Sequence, residues 1–218
     1  MDAGMKSLWS TRMERAIRWA SSGHAGQSRK GTKNPYIEHP MAVAMILDRA
    51  GFDEDVVIAG LLHDLVEDTE ATIEAVRERF GDLVALTVAD CSEVKDDAQG
   101  RRRPWADRKR DHLLALREAP VTTRAVILAD KLHNLACIAL DLDDGCNVWA
   151  TFNAGRDQVL DYYRASLAVC GSGDPRLEGL ARLAGDLLDE VEARGESTLP
   201  KKSPERVTNG LIDERGGL

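Results

Sequence analysis

Aromatic residues are scarce in this chain of 218 residues, at 5%, and strand-like alternation of apolar and polar positions does not recur along it. Both absences weigh against a β-sandwich or barrel, whose pleated faces favour aromatic and β-branched side chains. Cysteine is rare as well: Cys91, Cys137, Cys146 and Cys170 are the whole set, and no two form a C-x-x-C pair. That spacing signals neither a thiolate zinc site nor a thioredoxin-like motif. In a chain this long it predicts reduced, mostly buried thiols of a cytoplasmic protein. No apolar run nears the ~18 residues a membrane helix requires. Met1 to Arg15 lacks the apolar stretch of a secretory signal. Positive charge is in deficit, with Lys+Arg 29 against Asp+Glu 37 for a net −8. This argues against a general nucleic-acid binder, which needs a basic face. It does not argue against a small anionic substrate, because a few cations can cluster inside an acidic protein.

What the chain has in quantity is apolar residues, 43% of the total, with abundant Ala and Leu at helical spacing. A domain of this length buries about 70% of its unfolded surface, so neither a disulfide nor a metal is needed merely to fold. The pattern predicts an all-α bundle of about eight or nine helices. Segments read as helical are 8–20, 41–50 with Pro40 in its first turn, 55–66, 72–80, 83–94, 105–117, a long one after Pro120, 149–169 and 177–193. Thr69 offers an N-cap before the short helix at 72–80. Gly23 to Pro35 and Lys95 to Pro104 read as loops. Residues 1–195 form the expected domain, and 196–218, rich in Pro, Lys, Ser and Gly, the expected flexible tail.

The strongest chemical feature is His63-Asp64 followed by Glu67-Asp68, at the end of the apolar run Val56 to Leu62. On a helix His63 faces Glu67 and Asp64 faces Asp68, so three acids and an imidazole share one wedge of surface. A divalent cation would relieve their repulsion. Glu38-His39-Pro40 lies upstream. Downstream, Asp130 and Asn134 share a face of an otherwise apolar stretch, where an acid is costly unless paired or metal-bound. His39, His63, Asp64 and Asp130 together give two imidazoles and two carboxylates, a set suited to Mn²⁺, Fe²⁺ or Zn²⁺ more than to Ca²⁺ or Mg²⁺. Such a cation would polarise a phosphoryl oxygen and acidify a water. Glu67 and Asp68, one turn further on, could orient that water or accept its proton. His24 to Gly31, with Arg29 and Lys30, is a flexible cationic loop able to clamp phosphates or a nucleobase. Trp105 to Arg110 adds further positive charge, while Arg101 to Arg103 read as a solvated run.

Four segments occur in order: HAGQSRKGTKNPYIEHPMAVAMIL (24–47), AGLLHDLVEDTEAT (59–72), FGDLVALTVADCSEVK (80–95) and ILADKLHNL (127–135). Over residues 11–169, with WATFNAGRDQVLDYYRASL (149–167) closing it, the chain resembles the HD-superfamily hydrolase domain of RelA/SpoT proteins. The resemblance is greatest to the single-domain form, the small alarmone hydrolases. It implies an HD-type helical bundle and a Mn²⁺ ion held by His39, His63, Asp64 and Asp130. It implies that Glu67 and Asp68 promote attack of water on the 3′-diphosphate of guanosine tetra- or pentaphosphate, giving GDP or GTP and pyrophosphate. By the same resemblance Arg29 and Lys30 lie near the guanine and phosphates, and Asn134 near the ribose.

The chain departs from the family pattern in two places. Lys131, a candidate substrate-binding residue with Arg29, Lys30 and Asn134, stands where Arg is usual and loses the bidentate fork. Ser92-Glu93-Val94-Lys95 replaces a Thr-Lys pair beside the substrate pocket. About fifty residues follow the closing helix, too few for a synthetase domain, so the resemblance implies degradation and not synthesis of the alarmone. Two other readings stay open at the level of sequence. One is an HD phosphohydrolase acting on an adenine alarmone, NADPH or a nucleoside phosphate. The other is a metal-stabilised binding module without turnover, against which the extra acids Glu67 and Asp68 count. The partner is in each case a small nucleotide, with no nucleic acid and no membrane, and a homo-oligomer is left open.

Overall fold

The computed structural model describes residues 10–196, with ten α-helical segments and one short 3₁₀ turn. Residues of the expected tail beyond 196 lie outside this range. Among the described residues extended backbone is confined to two isolated bridges, Ser28 with Pro35 and Asp96 with Arg102, so the all-α expectation holds.

Helix α1 (Thr11–Gly23) starts where Ser10 Oγ accepts the amide N–H of Met13 at 2.9 Å, the usual N-cap bond. The 24–37 loop leads to α2 (Glu38–Arg49), which begins before the expected 41 and carries Pro40 in its first turn. Helix α3 (Glu54–Leu62) is the centre of the core: Val56 to Leu62 are all buried. It packs against α1, α2, α6 (Asp82–Cys91) and α8 (Val121–Asp143). An element surrounded on all sides must be apolar all round, which is why 56–62 shows no polar face.

The apolar pattern of 55–66 is interrupted after Leu62. His63 and Asp64 keep right-handed helical angles, and one further turn follows as α4 (Leu65–Asp68). Counted as one interrupted helix, α3 and α4 reduce the ten segments to nine. The Asp68 amide still bonds the Asp64 carbonyl at 3.0 Å, so the helical turn that relates Asp64 to Asp68 is kept. Thr69 is not an N-cap. Its hydroxyl donates back to Leu65 O at 2.5 Å and accepts from the Ala71 amide, closing α4. The cap of α5 (Ile73–Phe80) is Thr72, whose Oγ1 accepts from Ala75 N. Gly81, at φ 89°, turns the chain into α6, a conformation that glycine adopts without strain.

Helix α7 (Trp105–Leu116) follows the 92–104 connection, and the 23-residue α8 runs through the bundle with Thr123 and Ala125 to Lys131 buried. The helix expected from 149 begins later. Residues Val148–Thr151 form a 3₁₀ turn, and α9 (Arg156–Cys170) starts after Gly155, whose N–H bonds the Gln158 side chain. Helix α10 (Pro175–Glu196) lies along α8 and α9. No helix among the described residues is long and apolar enough to cross a membrane. Cys91 and Cys170 are buried, Cys137 is half-buried, and Cys146 is exposed; all four are free.

Candidate active site

The first turn of α2, the α3–α4 junction and the middle of α8 converge on one point. His39 Nε2 lies 3.1 Å from Asp130 Oδ1 and 3.5 Å from Asp64 Oδ2. His63 Nε2 lies 3.1 Å from Asp64 Oδ2 and 4.0 Å from Asp130 Oδ1. His39, His63 and Asp130 each offer one donor atom within 4.8 Å of the others, and all three are buried. Asp64 completes the cluster, with its Oδ2 also accepting from the Tyr36 hydroxyl at 2.6 Å.

The protonation pattern fits a cation. His63 Nδ1 faces the Gly60 carbonyl at 2.8 Å. A carbonyl can only accept, so Nδ1 carries a proton and Nε2 is the nitrogen turned toward the carboxylates. That buried Nε2 has no hydrogen-bond partner. A buried ring nitrogen left without a bond is costly, and a divalent ion between the two imidazoles and the carboxylates would satisfy it. The second ring is oriented in the same manner: His39 Nδ1 is 2.8 Å from His133 Nδ1. Metal-ligating histidines commonly use their other nitrogen in this way.

Burial would raise the Asp64 carboxyl, but His63 and His39 outweigh it and hold it below the carboxylate range. Asp130 is buried too, and Lys131 with His39 holds it well below. Burial lowers His63, yet the Asp64 and Asp130 carboxylates lift it to about 9, so without a cation the ring is protonated and a bound metal ion would take the place of the Nε2 proton. For His39 burial prevails, and its pKa is lowered despite Asp130. Burial and Asp64 push the Tyr36 phenol far up, so it stays a donor. His133, desolvated and beside His39 and Arg29, falls to about 4 and is neutral.

A cavity of about 450 Å³ opens over this cluster, walled by Arg29, Lys30, Lys95, Arg108 and Lys109 among others. A second recess of about 300 Å³ reaches down to His63, Asp64 and Asp130. Of the residues singled out in the sequence, Glu67 and Asp68 lie on the cavity wall, one turn beyond the His63-Asp64 pair. Arg29 Nη2 donates to Asn134 Oδ1 at 2.7 Å, and Asn134 Nδ2 donates to Asp130 Oδ1 at 2.5 Å. Lys30 is exposed at the mouth. Lys131 is buried, 2.5 Å from Asp130 Oδ2 and 5.5 Å from the Tyr162 and Tyr163 ring centroids. The cationic loop is tied down: the Arg29 N–H bonds Asn34 O, Tyr36 N–H bonds Gln27 O, and Gly31 turns it at φ 78°.

Sequence reasoning missed several residues here. Tyr36 gave a faint signal by standing three residues before His39. Glu93 and Lys95 stood out only as part of the 92–95 departure from the family pattern, without their partners, and His112 gave no signal. The charge at 105–110 turns partly inward, where Arg108 bonds Glu93 at 2.7 Å and Lys109 bonds the same carboxylate. Arg101, Arg102 and Arg103 pair with Asp97, Asp96 and Asp111 near the surface.

Comparison with known proteins gives a consistent picture. A family model described as an HD domain matches residues 16–160. The GTP pyrophosphokinase of Streptomyces coelicolor is 41% identical over 123 residues, 56% of this chain and 14% of that protein. The guanosine-3′,5′-bis(diphosphate) 3′-pyrophosphohydrolase of Aquifex aeolicus is 38% identical over 125 residues, 56% of this chain and 17% of that protein. The chain thus spans less than a fifth of the length of these curated relatives. A solved structure of a metazoan ortholog of SpoT, which hydrolyzes ppGpp and plays a role in starvation responses, superposes with a TM-score of 0.67. It is 26% identical, and the match covers 87% of this chain and 98% of that one. A crystal structure from Listeria monocytogenes superposes with a TM-score of 0.59 at 38% identity, covering 72% of this chain and 99% of that one.

Proposed function

Because the chain belongs to the HD-domain family, we propose that it is a metal-dependent phosphohydrolase that removes the 3′-diphosphate of guanosine tetra- or pentaphosphate. The products are GDP or GTP and pyrophosphate. The observation that carries this reading is the convergence of His39, His63, Asp64 and Asp130 beneath a cavity lined by the acids Glu67 and Asp68 and by several cations. The relatives named for this reaction, or for ppGpp hydrolysis, support the choice of substrate.

Those four residues would hold the cation; the mixed imidazole and carboxylate donors suit Mn²⁺, Fe²⁺ or Zn²⁺, and the resemblance to the alarmone hydrolases selects Mn²⁺. When bound, such an ion polarises a phosphoryl oxygen and makes a water more acidic. The protein's own residues do the rest. Glu67 accepts the proton of the attacking water while Asp68 orients it. The oxygen of water bonds to the phosphorus next to the ribose, the bond from that phosphorus to the 3′ oxygen breaks, and the 3′ oxygen takes up a proton. Arg29 and Lys30 offset the charge of the diphosphates. Asn134, already fixed by Arg29 and Asp130, presents its amide toward the ribose, and Lys131 keeps Asp130 ionised and in place. Free thiols fit a cytoplasmic setting, where a nucleotide substrate is found.

The test is direct. The purified protein is stripped with a chelator, Mn²⁺ is restored, ppGpp is added and the nucleotides are resolved. GDP and pyrophosphate that appear only with Mn²⁺ are the expected result. Absence of turnover with metal bound, alongside turnover of an adenine alarmone, NADPH or another nucleotide in a panel, would redirect the assignment.

A further inference from the structure

We propose that Lys95 is a positioning residue that holds Glu67 and Asp68 over the reaction centre, and that Glu93 anchors it to α7. The proposal rests on the reading of Glu67 as the acceptor of the water proton. Helix α4, which carries both acids, is a single turn of four residues after the break in α3, with few backbone bonds of its own to hold it. Two like charges at adjacent positions on so short an element, with Asp64 one turn away, repel one another. An external tie is needed to fix them.

The 92–95 segment supplies it. Lys95 Nζ lies 2.7 Å from Glu67 Oε1, 3.1 Å from Asp68 Oδ1 and 3.1 Å from the Glu67 carbonyl oxygen. An ammonium has three protons, and each finds one acceptor on α4. The other oxygen of Glu67, Oε2, accepts the Glu93 amide N–H at 3.4 Å. Both carboxylate oxygens of Glu67 are therefore met by one short stretch of chain. The ion pair is sheltered, with Lys95 22% and Glu67 23% exposed. Burial would lower the Lys95 pKa, but its bonds to Glu67 and Asp68 raise it.

The tie is itself held. The Glu93 side chain is 9% exposed, and Arg108 and Lys109 of α7 grip its two oxygens. The chain of contacts thus runs from α7 through Glu93 and Lys95 to the acid pair. Lys95 touches no atom of the His39, His63 and Asp130 cluster, so its part is to aim Glu67 and not to hold a cation.

Steady-state kinetics on the full, Mn²⁺-loaded protein test this with Lys95→Met, Lys95→Arg, Glu67→Gln and the Lys95→Met/Glu67→Gln double variant. Lys95→Met is expected to lower kcat about 10- to 100-fold, the range for partners of a reacting group, with KM and bound manganese unchanged. Lys95→Arg is expected to recover part of the loss. In the Glu67→Gln background Lys95→Met should cost nothing more, because it acts through Glu67. A raised KM with unchanged kcat, by the same factor in both backgrounds, overturns the proposal and makes Lys95 a substrate contact. Wild-type kinetics for Lys95→Met beside a crippled Glu67→Gln overturn the proposal alone. Wild-type turnover by Glu67→Gln overturns the reading of the acid pair and the proposal with it.

Discussion

His63 Nδ1 and the carbonyl oxygen of Gly60, one turn earlier on α3, stand 2.8 Å apart. This bond fixes the imidazole so that Nε2 looks into the site. Gly60 also packs directly against α2: a Cβ there would lie 2.3 Å from Leu47 Cδ1 and 3.3 Å from Val43 Cγ1. The helix that aims His63 and the helix that carries His39 in its first turn are brought together by the missing side chain. Gly60→Ala is therefore expected to cost about 1–3 kcal/mol of stability, as overpacking does, and to reduce bound manganese. Thermal unfolding with and without Mn²⁺, with metal analysis, measures both. An unchanged Tm would mean that α2 and α3 yield freely at this contact.

Asp130 is met by His39, Lys131 and Asn134 at once. Its loss should remove a donor and leave the Lys131 ammonium buried without a counter-ion. Asp130→Ala is expected to abolish tight manganese binding and to destabilise the fold, because an uncompensated buried charge costs about 3–5 kcal/mol. Stoichiometric manganese in the purified variant would take Asp130 out of the ligand set.

Much of this architecture could be read from the sequence, for reasons that particular residues make plain. The buried run Val56 to Leu62 and the acid inside the apolar stretch of α8 are local patterns, and a local pattern is legible without tertiary knowledge. The i,i+4 relation of His63 with Glu67 needed only helical geometry. The boundaries were less legible. Thr69 and Thr72 are both competent caps, and only the turn that closes α4 decides between them. A helix over 149–169 overlooks the 3₁₀ turn at Val148–Thr151 and Gly155, which postpone the start to Arg156. The contacts of Tyr36 with Asp64 and of Lys95 with Glu67 join residues 28 positions apart, and no periodicity encodes such pairs.

Glu67 lies on the cavity wall, one turn beyond the donor cluster. Glu67→Gln keeps the shape and hydrogen-bonding reach of the side chain but cannot take up a proton. It is expected to retain manganese and to lose at least ~10²-fold in kcat, the scale of general acid–base catalysis. Equal turnover by the variant would assign proton acceptance to another group, with Asp68 the nearest alternative.

Arg29 reaches the wall through its bond to Asn134 and by standing 5.8 Å from the Tyr36 ring centroid. Its charge is in position to meet an anionic substrate. Arg29→Ala should raise KM for ppGpp with a small effect on kcat, since the acid pair and the metal donors are untouched. If KM and kcat/KM match the wild type, the 24–37 loop plays no part in binding.

His112 offers a prediction about stability that is independent of the metal. It is 8% exposed, and its Nδ1 lies 2.9 Å from the Tyr162 hydroxyl. Burial, reinforced by Lys131 and Lys109 and only partly opposed by Glu93 and Asp130, lowers its pKa to about 4. The unfolded chain keeps a value near ~6.5. Between these two values the unfolded state binds more protons than the folded one, so stability falls as pH falls through the window. Above about pH 6.5 the group is neutral in both states and contributes no pH dependence. Once the pH is below both values the loss is complete, on the order of 3 kcal/mol. Other groups titrate across the same range, so the informative quantity is the difference between wild type and His112→Asn, which leaves Tyr162 a hydrogen-bonding neighbour. The wild-type Tm should drop more steeply than that of the variant between pH 6.5 and pH 4. Parallel curves would show that His112 takes up its proton in the folded protein without penalty.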